Sequence, residues 1–238
     1  DARAALEKAL ALAAALPDAA TRAGMVVRFQ EESGDLCELM AQHGRARDAY
    51  AAALEGVPAT DVIAQARLHR KIGKSLENEQ VAYDPAAAHY ATAEALLGPP
   101  DAAVGAVWWE EWCQVQVERL QLLYWWNRPA EMARQIQQVQ PAIERHGTPL
   151  QRAALFANMS RHLNRSQRYA PSAIALAYSR AALAALPSTA SPETIAPYQF
   201  GLGFNLLWHG DPAEAQAVLS TALALAEQTG DIVLQARV

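Results

Sequence analysis

Residues 200–230, FGLGFNLLWHGDPAEAQAVLSTALALAEQTG, constrain this chain more than any other stretch, because they read as a helical hairpin that needs neighbouring hairpins to cover its apolar face. Leu202 and Gly203 stand together on a first helix, and Gly210, Asp211 and Pro212 break it. Ala215, Leu219 and Ala222 then return at spacings of four and three on a second helix. Small residues at Gly203 and Ala215 let two antiparallel helices approach closely, while Leu206 and Leu219 fill the space between them.

Earlier stretches repeat the unit less cleanly. With Ala215 as a marker, Ala2, Ala49, Ala86, Met132 and Ile174 take the equivalent place, separated in order by 47, 37, 46, 42 and 41 residues. Ile72-Gly73 stands where Leu202-Gly203 does, and Cys37 takes the glycine place one copy earlier. The hairpins fall at about 21–57, 61–97, 101–146, 149–186 and 192–229, with a lone helix at either end, so 1–238 reads as one repeat array. Asp84-Pro85 and Thr148-Pro149 are start signals, an acceptor side chain ahead of a residue that needs no N–H. Pro141 is expected to kink or shorten its helix, and 187–192 is the most loop-like segment. Both ends read as cut from a longer polypeptide.

Strand signatures are missing from a sequence that is 52% hydrophobic, which makes the chain all-α. A formal charge of -5 with 20 scattered basic residues leaves no phosphate-neutralising stripe, so direct nucleic-acid binding is not expected. Cys37 and Cys113 are the two cysteines. Each lies in an apolar helical pattern and reads as a buried free thiol of a reducing compartment. Without a signal peptide or a charge-free run of about 18 apolar residues, no membrane association is expected and a cytoplasmic location is.

Catalytic patterns are also missing. No phosphate-binding loop, glycine-rich dinucleotide turn, H-E-x-x-H or serine nucleophile elbow occurs. His43, His69, His89, His146, His162 and His209 stand isolated along the chain, and Glu110-Glu111 project about 100° apart. The expectation is a non-enzyme with no catalytic residue, no metal ligands and no cofactor.

Three stretches resemble a known family: ARLHRKIG at 66–73, AAHYATAEALL at 87–97, and GFNLLWHGDPAEAQAVLSTALALAEQTGD at 203–231. They are similar to tetratricopeptide-type arrays of the long-helix kind, found C-terminal to the nucleotide-binding module in large bacterial signalling ATPases and MalT-like transcriptional regulators. The resemblance implies a right-handed superhelix, an α-solenoid of antiparallel helical hairpins. It further implies a regulatory or sensor part that binds a protein or peptide partner, other domains of the same polypeptide included, or a small effector.

Two groups of residues are candidates for that surface. Five of the six tryptophans fall on one helix at 104–126, where Trp108, Trp109, Trp112, Arg119 and Tyr124 read either as an aromatic groove or as bulk that fills space between small-residue neighbours. Arg70, Lys74 and Asn78 at i, i+4 and i+8, and Asn158, Arg161 and His162 on another first helix, resemble the basic-and-Asn clamp with which some tetratricopeptide domains hold a peptide carboxylate. A solvated helix face accounts for the same pattern. Two functions follow: an interaction scaffold, or a sensor whose groove takes a small effector.

Overall fold

The computed structural model describes residues 8, 9, 11–13, 15, 17–79, 83–100, 104–170 and 172–238. The expected markers Ala2 and Leu6, and the helix starts at Asp101 and Pro171, lie outside them. Among the described residues the secondary structure is helical, with no strand. In chain order the helices are α1 Ala19–Leu39, α2 His43–Gly56, α3 Val62–Asn78, α4 Tyr83–Leu97, α5 Ala106–Trp125 and α6 Pro129–His146. They continue with α7 Pro149–Ser166, α8 Ala173–Ala185, α9 Pro192–His209, α10 Pro212–Thr229 and the short α11 Ile232–Gln235. The chain divides into two compact units, Asp1–Leu122 and Leu123–Val238.

Local chemistry sets the helix ends. Asp18, Asp61, Ser172, Asp211 and Asp231 each accept a backbone N–H from the first turn of the helix that follows. Thr148 and Gln151 close a reciprocal capping box ahead of α7. Gly210 and Gly230 end α9 and α10 at φ 95° and 73°, in the left-handed region where a side chain is strained. Pro141 does not end α6, which runs on to His146. Both Pro141 and Gln137, whose carbonyl loses its intrahelical donor, are exposed, so solvent can satisfy that oxygen.

Hairpins in both units close through one contact, and it corrects the expected register. Gly34 faces the Tyr50 ring, Gly73 faces the Ala86 carbonyl and Tyr90, and Gly203 faces Leu219. Ser160 takes the same place in its hairpin, donating to the Ala175 carbonyl at 2.9 Å. The buried markers are therefore Ala46, Ala86, Met132, Ala175 and Ala215, 40, 46, 43 and 40 residues apart. Ile174 is exposed instead, and Ala49 is half-buried. The slip has a simple origin: α2 and α8 carry alanine on several faces, so composition leaves their rotation open, and the large Tyr50 and the polar Ser160–Ser179 pair decide it. Gly34 also replaces Cys37 as the close-approach residue of its hairpin.

The core of the first unit gathers Ala46, Tyr50, Ala53, Leu68 and Ile72, with a second cluster of Ala86, Tyr90 and Leu122. In the second unit Leu176, Leu202, Leu206 and Ala215 form one cluster, and Ala196, Ala226 and Leu234 another. Cys113 is fully buried, which pushes its thiol up to about 12, whereas Cys37 is half-buried. Since the thiolate is the reactive form, iodoacetamide at mildly alkaline pH is expected to alkylate Cys37 and spare Cys113 until the protein unfolds. Equal labelling rates in the native protein count against that packing. No helix among the described residues is long and apolar enough to cross a membrane.

Candidate functional site

In the first unit, α3 and α5 meet through charge. Arg70 lies under the surface and donates from Nε to Glu111 at 2.6 Å and from a terminal nitrogen to Glu118 at 2.9 Å. Burial alone would lower its affinity for the proton, but the two carboxylates reverse the effect and raise its pKa. Lys74 donates to Glu77 at 3.1 Å, and the buried Tyr90 hydroxyl donates to the other Glu77 oxygen, also at 3.1 Å. Burial raises the Glu77 pKa against the opposing pull of Lys74. Asn78 donates to Glu38 at 3.0 Å, and Arg119 pairs with Glu94. An anion approaching Arg70, Lys74 and Asn78 therefore meets donors already closed on carboxylates of the same unit.

The tryptophans of α5 lie beside this network. Trp108 and Trp112 are buried and stack with ring centroids 6.2 Å apart, while the half-buried Trp109 sets its edge against both. The Trp108 indole donates to the Leu97 carbonyl at 3.1 Å, so this ring closes the C-terminal end of α4. His69 and His89, far apart in sequence, bring their Nδ1 atoms to 3.0 Å. Such a bond needs an unprotonated acceptor ring, and burial depresses the pKa of both rings. The stabilisation they give is present above the ordinary value of 6.5 and lost as pH falls through the depressed folded-state values. Acid should thus destabilise the first unit by way of this pair, and His69→Gln should flatten the urea midpoint against pH below that value. No group of three or more metal-ligating side chains occurs among the described residues.

The second unit holds a cleft of about 350 Å³. One face of α7 supplies Ala157, Ser160, Arg161 and Asn164, at spacings of three and four. The C-terminal end of α5 contributes Tyr124 and Trp125, α9 contributes Tyr198, Phe200, Gly201, Phe204 and Asn205, and α11 with its cap contributes Asp231 and Arg237. The floor is polar and buried. Ser160 spends its one proton on the Ala175 carbonyl, so its oxygen must accept from Asn205 Nδ2, at 2.8 Å. That same nitrogen donates to Ser179 at 2.5 Å, which turns Asn205 Oδ1 outward to accept from Asn164 Nδ2 at 2.6 Å. Asn164 Oδ1 is left buried with no hydrogen-bond partner among the described residues.

Charge at this cleft is mostly positive. Arg161 is braced by Asn158, which accepts from it at 3.2 Å. Burial raises the Tyr198 pKa and the nearby Arg161 charge opposes it. Burial and a hydrogen bond to Tyr169 raise that of Tyr124, with Arg165 and Arg161 opposing. Arg165 stacks over the Tyr124 ring at 4.6 Å, and Tyr169, held at φ 60°, sets its ring edge-on to Phe204. Of the residues singled out from sequence, Tyr124 and Arg161 line the cleft. Asn158 supports Arg161 from the core, and the half-buried His162 approaches Ser166 at 3.5 Å. Asn164, Tyr198, Phe204 and Asn205 were not anticipated, although polar residues at 160, 161 and 164 interrupt an otherwise apolar helix face and carry the signal. Replacing Asn205 with Ala strands Ser160, Ser179 and Asn164 at once, and the expected loss is about 1–2 kcal/mol in urea unfolding. A loss below about 0.5 kcal/mol would mean that the network is readily rehydrated.

No family model matches the chain, and no curated protein is similar to it at a significant level. Among solved structures it is similar to BtubC (BKLC) from P. vanneervenii, with a TM-score of 0.69 at 15% identity, over 96% of this chain and 91% of that chain. The helical fold is shared. Identity at this level carries the likeness of fold and nothing about activity.

Proposed function

We propose that this chain is a tetratricopeptide-type α-solenoid acting as a non-catalytic interaction scaffold, the regulatory or sensor part of a multidomain bacterial signalling ATPase or transcriptional regulator. The observation that supports it is the repeated closure of hairpins through one small-residue contact, Gly34, Gly73, Ser160 and Gly203, on first helices whose neighbouring faces carry polar and aromatic side chains. A repeat built this way spends its second helices on packing and has its first helices to present a partner surface. A photo-crosslinking residue placed at exposed Trp208 on α9, compared with one at exposed Ala51 on α2, tests the reading in cell extract. Capture of a discrete protein from the Trp208 position is expected, with none from Ala51. Capture at neither, together with thermal stabilisation by a metabolite, would sink the scaffold and leave the second reading.

That second reading, an effector sensor, is favoured by the cleft alone. At about 350 Å³ the cleft lies within the range of small-molecule sites, and it combines aromatic walls with a few convergent polar groups.

A further inference from the structure

The geometry points to a small aromatic carboxylic acid bearing a second, hydrogen-bond-donating group as the ligand of the second unit's cleft. The assignment goes beyond the scaffold reading and stands without it. Three features carry it. First, a residue of the floor holds a buried acceptor that has no partner among the described residues. Asn164 is 6% exposed, and the chain of bonds from the Ala175 carbonyl through Ser160 and Asn205 fixes its amide so that Oδ1 is the atom left over. A buried acceptor without a partner is costly, and a ligand N–H or O–H that reaches it removes the cost. An apolar ligand would leave it stranded.

Second, Arg161 stands three residues earlier on the same helix face, roughly 4.5 Å along the axis from Asn164. With Arg237 also in the lining and Asp231 engaged as the cap of α11, the ionic side chains of the lining sum to one positive charge. A planar guanidinium braced by Asn158 suits a carboxylate. Third, Tyr124, Trp125, Tyr198, Phe200 and Phe204 line the same cleft, so the body joining acid and donor is flat and apolar. One aromatic ring spans a separation of that size.

Gly201 makes the test clean. It lines the cleft, and a Cβ there would meet nothing within 4 Å, so a large side chain can enter the cleft without disturbing the helix packing behind it. The experiment is calorimetry and thermal shift on the purified chain with 4-hydroxyphenylacetate and indole-3-acetate as probes. Binding in the millimolar range or tighter is expected for at least one of them. Replacing the donor, as in 4-methoxyphenylacetate, or the acid, as in 4-hydroxyphenylacetamide, should weaken it by about tenfold or more. Arg161→Gln should produce a similar loss for the acid and none for the amide. Gly201→Trp should abolish binding while leaving the circular dichroism and thermal midpoint near those of the parent. The inference is overturned if neither probe binds at millimolar concentration, if methoxy and hydroxy acids bind equally, or if Gly201→Trp binds as well as the parent. Partner capture at Trp208 is read separately, so loss of the acid site with capture retained rejects this ligand and keeps the scaffold, and the reverse result does the opposite.

Discussion

Arg70→Ala should destabilise the first unit by about 3–5 kcal/mol at neutral pH. The guanidinium is held beneath the surface between Glu111 and Glu118, and Glu118 already has one buried oxygen without a hydrogen-bond partner among the described residues. Removing the cation leaves two carboxylates close together in a poorly solvated place, which is worse than removing the whole network. With an m-value of about 2 kcal/mol/M, the urea midpoint of this unit should fall by on the order of 2 M. Replacing all three, as Arg70→Met with Glu111→Leu and Glu118→Leu, should recover most of the loss, since a packed apolar trio carries no desolvation cost. A deficit under about 1 kcal/mol would show that water reaches the ion pairs freely.

Gly34→Ala is the second large effect, an expected loss of about 3 kcal/mol from one added methyl group. Its Cβ would stand 2.3 Å and 2.5 Å from two carbons of the Tyr50 ring. The ring cannot simply swing aside. It is 2% exposed, its hydroxyl donates to Asp35 at 2.8 Å, and Lys71 both binds Asp35 at 2.7 Å and sits over the ring at 5.6 Å. Gly24→Ala on the same helix provides the contrast, because nothing lies within 4 Å of its Cβ and the helix gains up to about 1 kcal/mol in propensity. Shrinking the ring should rescue the clash, so Gly34→Ala combined with Tyr50→Leu is expected to cost less than the sum of the two single changes. Strict additivity would place the contact elsewhere.

The two glycines also show where sequence reasoning stops. Ile72-Gly73 and Leu202-Gly203 are legible because a large residue beside a glycine on an amphipathic helix has one efficient use, close approach to a partner. Gly34 was passed over in favour of Cys37, three residues on, because α1 has little amphipathic contrast to orient it. In α2 and α8 alanine at neighbouring positions lets several rotations bury a small face equally well, and the expected registers were off by three residues and by one. Cleft residues such as Asn164 and Asn205 lie 41 positions apart and meet only because α7 and α9 pack in one register. A similar separation joins Arg70 to Glu111.

By itself the sequence determined what is local: helix without strand among the described residues, the helix start at Thr148-Pro149, the break at Gly210-Asp211-Pro212, and hairpins that recur at about forty residues. These follow from periodicity and turn chemistry, which act over a few residues and can be read one turn at a time. Only the tertiary structure decided which polar groups are spent on each other and which are left over. Arg70 and Asn78 are consumed by carboxylates brought from other helices of the first unit and Lys74 by Glu77 of its own helix, while Asn164, in the lining of a cleft, keeps a buried acceptor without a partner among the described residues. Whether a buried polar atom has a partner depends on helix rotation between distant segments, and an error of one residue turns a side chain through about 100° and changes the answer.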